Sequence, residues 1–168
     1  MRFIPFLSSG ALVIALAGCA PLVSESLSLG DVQDCAGVSV VVNYGILSEG
    51  VQLECVNLQE ESALAKQVLT FAGFELEGTG TYGDQVVCRV AGLPSATEPF
   101  TVEGEEPHLE SCADMPPAFA YWALWIKDGD ATEWTYAQEG AGTLELQPGD
   151  SIGLAFSTGG ATPLPTNP

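Results

Sequence analysis

Basic side chains are scarce in this chain. Its 168 residues hold four Lys+Arg against 22 Asp+Glu, a formal charge of −18 and a pI near 4.1. Neutralising phosphates takes clustered Lys and Arg, so nucleic-acid binding is excluded, as is attachment to anionic lipid through a basic face. Histidine is scarcer still: His108 is the single one. Any His-dependent triad or multi-His metal site would have to be built around it. It stands in Glu105-Glu106-Pro107-His108, an acidic loop setting where a solvated side chain is expected. No Gly-x-Ser-x-Gly elbow is present. Gly78-Thr79-Gly80 is followed by neither Lys-Ser/Thr nor a helix start, so it is no phosphate cradle. No Cys-x-x-Cys pair occurs, which speaks against zinc. Asp128-Gly129-Asp130-Ala131-Thr132-Glu133 lacks the later ligands of a calcium loop and reads as a polar turn. The carboxylates Glu105, Glu106 and Glu133 carry no mark of an acid/base couple. A hydrolase therefore lacks both nucleophile and base, and the expectation is a non-enzymatic protein with no metal and no cofactor. Internal repeats are missing too.

What is present is a chain that is 46% hydrophobic, with 19 glycines and 11 prolines. The first figure argues against an acidic disordered tail, and the second favours short strands and many turns over a helical bundle. Arg2 followed by the apolar run Phe3 to Ala17 reads as a signal peptide, too short for a membrane span. It ends in Leu16-Ala17-Gly18-Cys19, a lipobox of the kind found in bacterial lipoproteins. The expectation is cleavage after residue 18 and a diacylated Cys19 that anchors the chain to the membrane, since two acyl chains hold stably where one does not. The localisation that follows is the extracytoplasmic face of a bacterial cell membrane, Gram-positive by expectation. Residues 19–34, Ser/Leu-rich and without a period, read as a flexible tether. About 150 residues remain, enough to bury a core.

From residue 35 to 157 the periodicities alternate. Val38, Val40, Val42 and Tyr44 share one face of a strand, and Val51, Leu53 and Cys55 one face of the next, which makes a hairpin. Ser62 to Ala72 switches to a helical period, with Leu64, Val68 and Phe71 at i, i+4 and i+7. Glu60 and Glu61 precede it and Gly73 stands at its C′ position. Extended stretches follow at Phe74–Glu77, Val86–Val90, Ala118–Ile126, Glu133–Tyr136 and Ile152–Phe156. Gly92 to Pro117 is a long acidic excursion of the sort that is functional or disordered. Residues 158–168 form a Gly/Pro/Thr tail, expected to be disordered. The fold class expected is α+β: a mixed sheet of about five to seven short strands packed on one helix at 62–72, in the manner of a β-grasp.

Four cysteines remain beyond Cys19, an even number that suits two disulfides in an exported protein. Cys35 and Cys55 lie at the open end of the hairpin and are paired on that ground. Cys88 and Cys112 bracket the acidic excursion and are paired to close it.

Tyr121, Trp122, Trp125, Trp134 and Tyr136 are the most informative cluster. The strand Ala118–Ile126 is apolar on both sides, so either a second layer covers it or one face is left for a ligand or partner. The alternation puts Trp122 out of phase with Tyr121 and Trp125. The assignment made is that Trp122 and Trp134 border the ligand surface, with Tyr136 as a further ligand-binding candidate, while Tyr121 and Trp125 pack inside.

In their order, these motifs resemble the transcobalamin-like C-terminal domain. The hairpin is followed by Ser62-Ala63-Leu64 opening a helix that ends Ala72-Gly73-Phe74. Then comes Val87-Cys88-Arg89-Val90-Ala91-Gly92, like the Cys-Arg-hydrophobic-x-Gly strand of bacterial secreted members. Cys112, Pro116-Pro117, Tyr121-Trp122, Trp134-Thr135-Tyr136 and Pro148-Gly149-Asp150 continue the match, which covers roughly residues 37 to 157. The chain departs from the pattern at Gly153-Leu154-Ala155, where aromatic or basic residues are usual, and in its longer, more acidic excursion at 95–110. The resemblance implies a β-grasp that binds a small molecule, cobalamin or a related corrinoid, beside an uptake transporter. The alternative function is a cell-surface structural or protein-interaction module without a small-molecule ligand.

Overall fold

The computed structural model describes residues 26–158 and 163–165. Cys19 and the signal segment lie outside the described residues. The elements in chain order are β1 (Leu27–Leu29), β2 (Val38–Asn43), a 3-10 turn (Gly45–Leu47), β3 (Val51–Leu58), β4 (Ala63–Leu64), α1 (Ala65–Phe71), β5 (Leu76–Thr79), β6 (Gly83–Val90), β7 (Ala120–Lys127), β8 (Thr135–Tyr136), β9 (Glu145–Leu146) and β10 (Ser151–Thr158). Six strands form one sheet in the order β1-β3-β2-β10-β7-β8. β10 runs parallel to β2, and the other neighbours are antiparallel. The expected α+β class is what the chain adopts: a short helix packed against a mixed sheet, with the small ladders β4–β9 and β5–β6 beside it. No helix among the described residues is long and apolar enough to cross a membrane.

Alternation sets the two faces. Val38, Val40, Val42 and Tyr44 of the first hairpin strand join Trp122 and Leu124 of β7 and Ile152, Leu154 and Phe156 of β10 in one core, closed by Val68 and Leu69 of α1. Along β10 the residues between these are small, Gly153 and Ala155, and they point to the other face. That face is covered as well. A Cβ on Gly153 would overlap Pro165 and lie 3.2 Å from the Trp134 ring. Glycine is needed there because Trp134 and Pro165 lie directly on the strand. The whole run Ser151–Ser157 is consequently buried.

The helix is shorter than its period suggests, and its buried stripe is shifted. Ala63 and Leu64 are drawn into a two-residue ladder with Leu146 and Glu145, so helical geometry starts only at Ala65. Glu60 and Glu61 thus fall outside its first turn. Ala65, Val68 and Leu69 face the core, and Phe71 is 42% exposed. Its end is as expected: Gly73 takes φ +94°. Its N–H donates to the Thr70 carbonyl and the Phe74 N–H donates to the Leu69 carbonyl, the pair of bonds that terminates a helix through a left-handed glycine.

Both disulfides form as paired from the sequence, with Cα–Cα separations of 5.7 Å for Cys35–Cys55 and 5.6 Å for Cys88–Cys112. They mark a chain that folds in an oxidising, extracytoplasmic compartment. The folded region begins earlier than residue 35, because Leu27–Leu29 of the expected tether pair with Leu58–Val56 as an edge strand. At the other end, Thr158 belongs to β10 and Pro165, within the expected disordered tail, is buried.

The acidic excursion is held down rather than loose. Arg89, 5% exposed, donates from Nε to the Pro94 carbonyl (2.8 Å), from Nη1 to Glu77 (2.6 Å) and from Nη2 to the Glu110 carbonyl. Phe100 pairs with His108 across the excursion and packs edge-on against Phe156. His108, expected to be solvated, is half-buried between Phe100 and Phe119, with Nε2 3.3 Å from Glu110.

Candidate functional site

A cleft of about 650 Å³ opens beside the first half of β7. It exists because β8 is only two residues long. Thr135 and Tyr136 pair with Ile126 and Trp125, the Ala137 N–H donates to the Leu124 carbonyl (2.9 Å), and the chain then leaves β7 for β6. There Gly140 seats against the Gln85 backbone, where a side chain would overlap it. The upper half of β7 has no strand on that edge, and β6 pairs with β5 instead. Val87 of β6, Met115 from the end of the excursion, Tyr121, Trp122 and Leu124 of β7, and Tyr136 to Ala141 line the gap. A second cleft of about 700 Å³ lies between β1 and α1, around Leu27, Leu58, Lys66 and Phe71. It holds a single aromatic side chain, whereas the first gathers three, and volumes of this order suit a small molecule.

The structure brings two of the three expected ligand residues together. Trp122 and Tyr136 line the cleft, and Trp134 does not. The burial assignment within the aromatic cluster is the reverse of that expected. Trp122 is 5% exposed and Trp134 8% exposed. The Trp122 Nε1–H donates to the Leu93 carbonyl (3.1 Å), and its ring stands edge-on to Tyr44 and Phe156 at 5.6 and 5.4 Å. It is a core residue that offers the cleft one edge. Trp134 lies over Gly153 with the Lys127 ammonium 5.5 Å from its ring centre. Tyr121 and Trp125, expected inside, are half-buried on the face away from the helix. Trp125 meets Tyr136 edge-on at 5.4 Å, and its indole N–H is buried without an acceptor. The reason is the phase of β7: Ala120, Trp122 and Leu124 point to the core, which sends Tyr121 and Trp125 to the other side.

Sequence reasoning missed Tyr121 and Met115 as cleft residues. Met115 is 59% exposed at the mouth; its place next to Pro116-Pro117, just ahead of the aromatic strand, was the available signal. Tyr136 has its phenol pKa raised, first by burial and then by the neighbouring Tyr121 hydroxyl, so its phenol is a neutral donor at physiological pH.

Among the described residues one group could be considered for a metal. Cys88, Glu110 and Cys112 bring one possible ligand atom each within 4.8 Å, but the two sulfurs are bonded to each other and a disulfide is no thiolate ligand. Glu110 instead accepts the Cys112 N–H (2.7 Å). The Asp128–Asp130 turn is fastened by the Asp150 carboxylate, which accepts the N–H groups of Gly129 (3.0 Å) and Gln147 (2.8 Å). No family model, curated protein or solved structure matches the chain.

Proposed function

We propose that this chain is a non-enzymatic ligand-binding lipoprotein, anchored through Cys19 at the extracytoplasmic face of a bacterial membrane, with its ligand site in the cleft between β6 and β7. The observation that carries the reading is the meeting of Tyr121, Trp122 and Tyr136 at a half-unpaired strand edge. Such a concave, largely apolar site with a few polar groups is what small-molecule recognition uses. Two disulfides and the lipobox Leu16-Ala17-Gly18-Cys19 support the compartment and the anchor. The shortage of nucleophile–base pairs in the sequence supports the non-enzymatic reading. The resemblance to the transcobalamin-like C-terminal domain extends the proposal to cobalamin or a related corrinoid as ligand, and to an uptake transporter as partner.

Cobalamin titration followed by tryptophan fluorescence, corrected for ligand absorbance, tests the corrinoid. Saturable quenching that weakens on Tyr136→Ala is expected. A flat titration to high micromolar cobalamin would remove the corrinoid, and a cleft that accepts no small molecule would leave the interaction module in its place.

A further inference from the structure

The cleft has a charge character that narrows its ligand. Three basic side chains lie within the described residues, and each is already engaged. Lys66 is paired with Asp84 at 2.6 Å, Arg89 with Glu77 at 2.6 Å, and Lys127 stands over the Trp134 ring. None of them lines the cleft. Its one charged lining residue is Glu139, exposed at the rim. The remaining polar lining consists of Gln85, Gln138 and the two tyrosines. An anionic ligand entering here would lose its hydration with no positive partner to replace it, against the field of a chain with net charge −18. A cation meets the opposite situation. Aromatic rings present negative π faces to it, the attraction is strongest where water is partly excluded, and Glu139 supplies a carboxylate without a competing ammonium.

We infer that the cleft binds a small organic cation of the quaternary-ammonium class, its alkylated nitrogen held against the Tyr121 and Tyr136 rings with Glu139 at the rim. The inference rests on the reading of the cleft as a ligand site and sets a small organic cation there in place of the corrinoid, which the resemblance alone suggests and whose own phosphodiester would meet the same want of a basic partner. A strongly hydrated inorganic ion would gain little from the apolar floor of Val87, Leu124 and Ala141. An alkylated nitrogen gains from it as well as from the rings. The same argument separates a free cation from the trimethylammonium of a lipid headgroup. The headgroup carries a phosphodiester close to its nitrogen, and that anion would fall near Glu139 with no basic residue to receive it.

The test uses the full chain in a non-ionic detergent with its four tyrosines isotopically labelled, so that Tyr121 and Tyr136 report directly by NMR. Three probes are titrated: choline, its uncharged carbon isostere 3,3-dimethylbutan-1-ol, and phosphocholine as the headgroup stand-in. Choline is expected to shift both tyrosines saturably, with an affinity that falls as salt is raised. The isostere and phosphocholine should each bind at least about tenfold more weakly. Tyr136→Leu, which keeps apolar area but removes the ring, should weaken choline by about threefold to thirtyfold, and Glu139→Gln should weaken it by a smaller factor. Both positions are exposed, so the fold survives either change. Equal binding of choline and the isostere would overturn the cation while leaving the cleft a ligand site. Tighter binding of phosphocholine would overturn the free cation in favour of the headgroup. Tyrosine signals unmoved by all three probes and by cobalamin would remove the cleft reading itself.

Discussion

Trp122 and Tyr136 border the same cleft and do different work. Trp122 fills the core between Tyr44 and Phe156 and satisfies its indole on the Leu93 carbonyl. Tyr136 is 45% exposed and meets the half-buried Trp125 edge-on. Trp122→Ala should therefore lower unfolding free energy by about 3 to 5 kcal/mol, the usual cost of truncating a buried aromatic. Tyr136→Ala should cost under about 1 kcal/mol. Denaturant melts of the two variants check this, and equal losses would contradict the assignment. The alternation of β7 was legible from its sequence; which phase faces the helix was not, because both sets of residues are apolar. The deciding signal sits on another strand. β10 alternates Ile152, Leu154 and Phe156 with Gly153 and Ala155, so its bulky face must be the core face. Its register then pairs Phe156 with Trp122 and Leu154 with Leu124. Reading that requires knowing that two segments distant in sequence are neighbours.

At the scale of elements, the acidic excursion shows how a long connection is kept in place. The Cys88–Cys112 disulfide closes it covalently, and Arg89, the next residue along β6, holds the carbonyls of Pro94 and Glu110 near its two ends. The planar guanidinium can serve both carbonyls and Glu77 at once, as a lysine cannot. Replacing both cysteines by alanine should cost roughly 3 kcal/mol, from the entropy of a loop of about 24 residues. Arg89→Met should cost a similar amount, about 3 kcal/mol, because two buried carbonyls lose charge-assisted bonds. Made together, the changes should cost less than their sum. Without the disulfide the Glu110 carbonyl is no longer held over Arg89, and ties on one loop are coupled. Strict additivity in a double-mutant cycle would refute that coupling. Cys35–Cys55 was readable because a hairpin brings its ends together by geometry alone, and Cys88–Cys112 because the two cysteines bracket the acidic excursion. The ties of Arg89 were not, since their acceptors are backbone carbonyls and no side-chain pattern marks them. The helix start was misplaced for a related reason. The helical period of Leu64, Val68 and Phe71 is local, whereas the ladder that holds Ala63 and Leu64 extended comes from Glu145 and Leu146.

For the molecule as a whole, β1 and the proposed cleft lie at opposite edges of one sheet. Cys19 is seven residues ahead of Ser26 in the sequence, a reach of at most about 25 Å, so the proposed acylation would hold the β1 edge near the bilayer. Five strand spacings of about 4.8 Å separate β1 from β8. Cys19→Ser, expressed in a bacterium, should lose acyl labelling and move to the soluble fraction; unchanged membrane association would sink the anchor. Another consequence follows from where β10 lies. It is the last strand among the described residues and one of the two central strands of the sheet, parallel to β2 on one side and antiparallel to β7 on the other. Until it arrives, β1-β3-β2 and β7-β8 are two fragments with no shared ladder, and closing them spans roughly a hundred residues of chain, the kind of non-local pairing that folds slowly. A ribosome or a secretion channel thus handles a chain that cannot complete its sheet before residue 158 has emerged. The moment of folding is set by the release of β10.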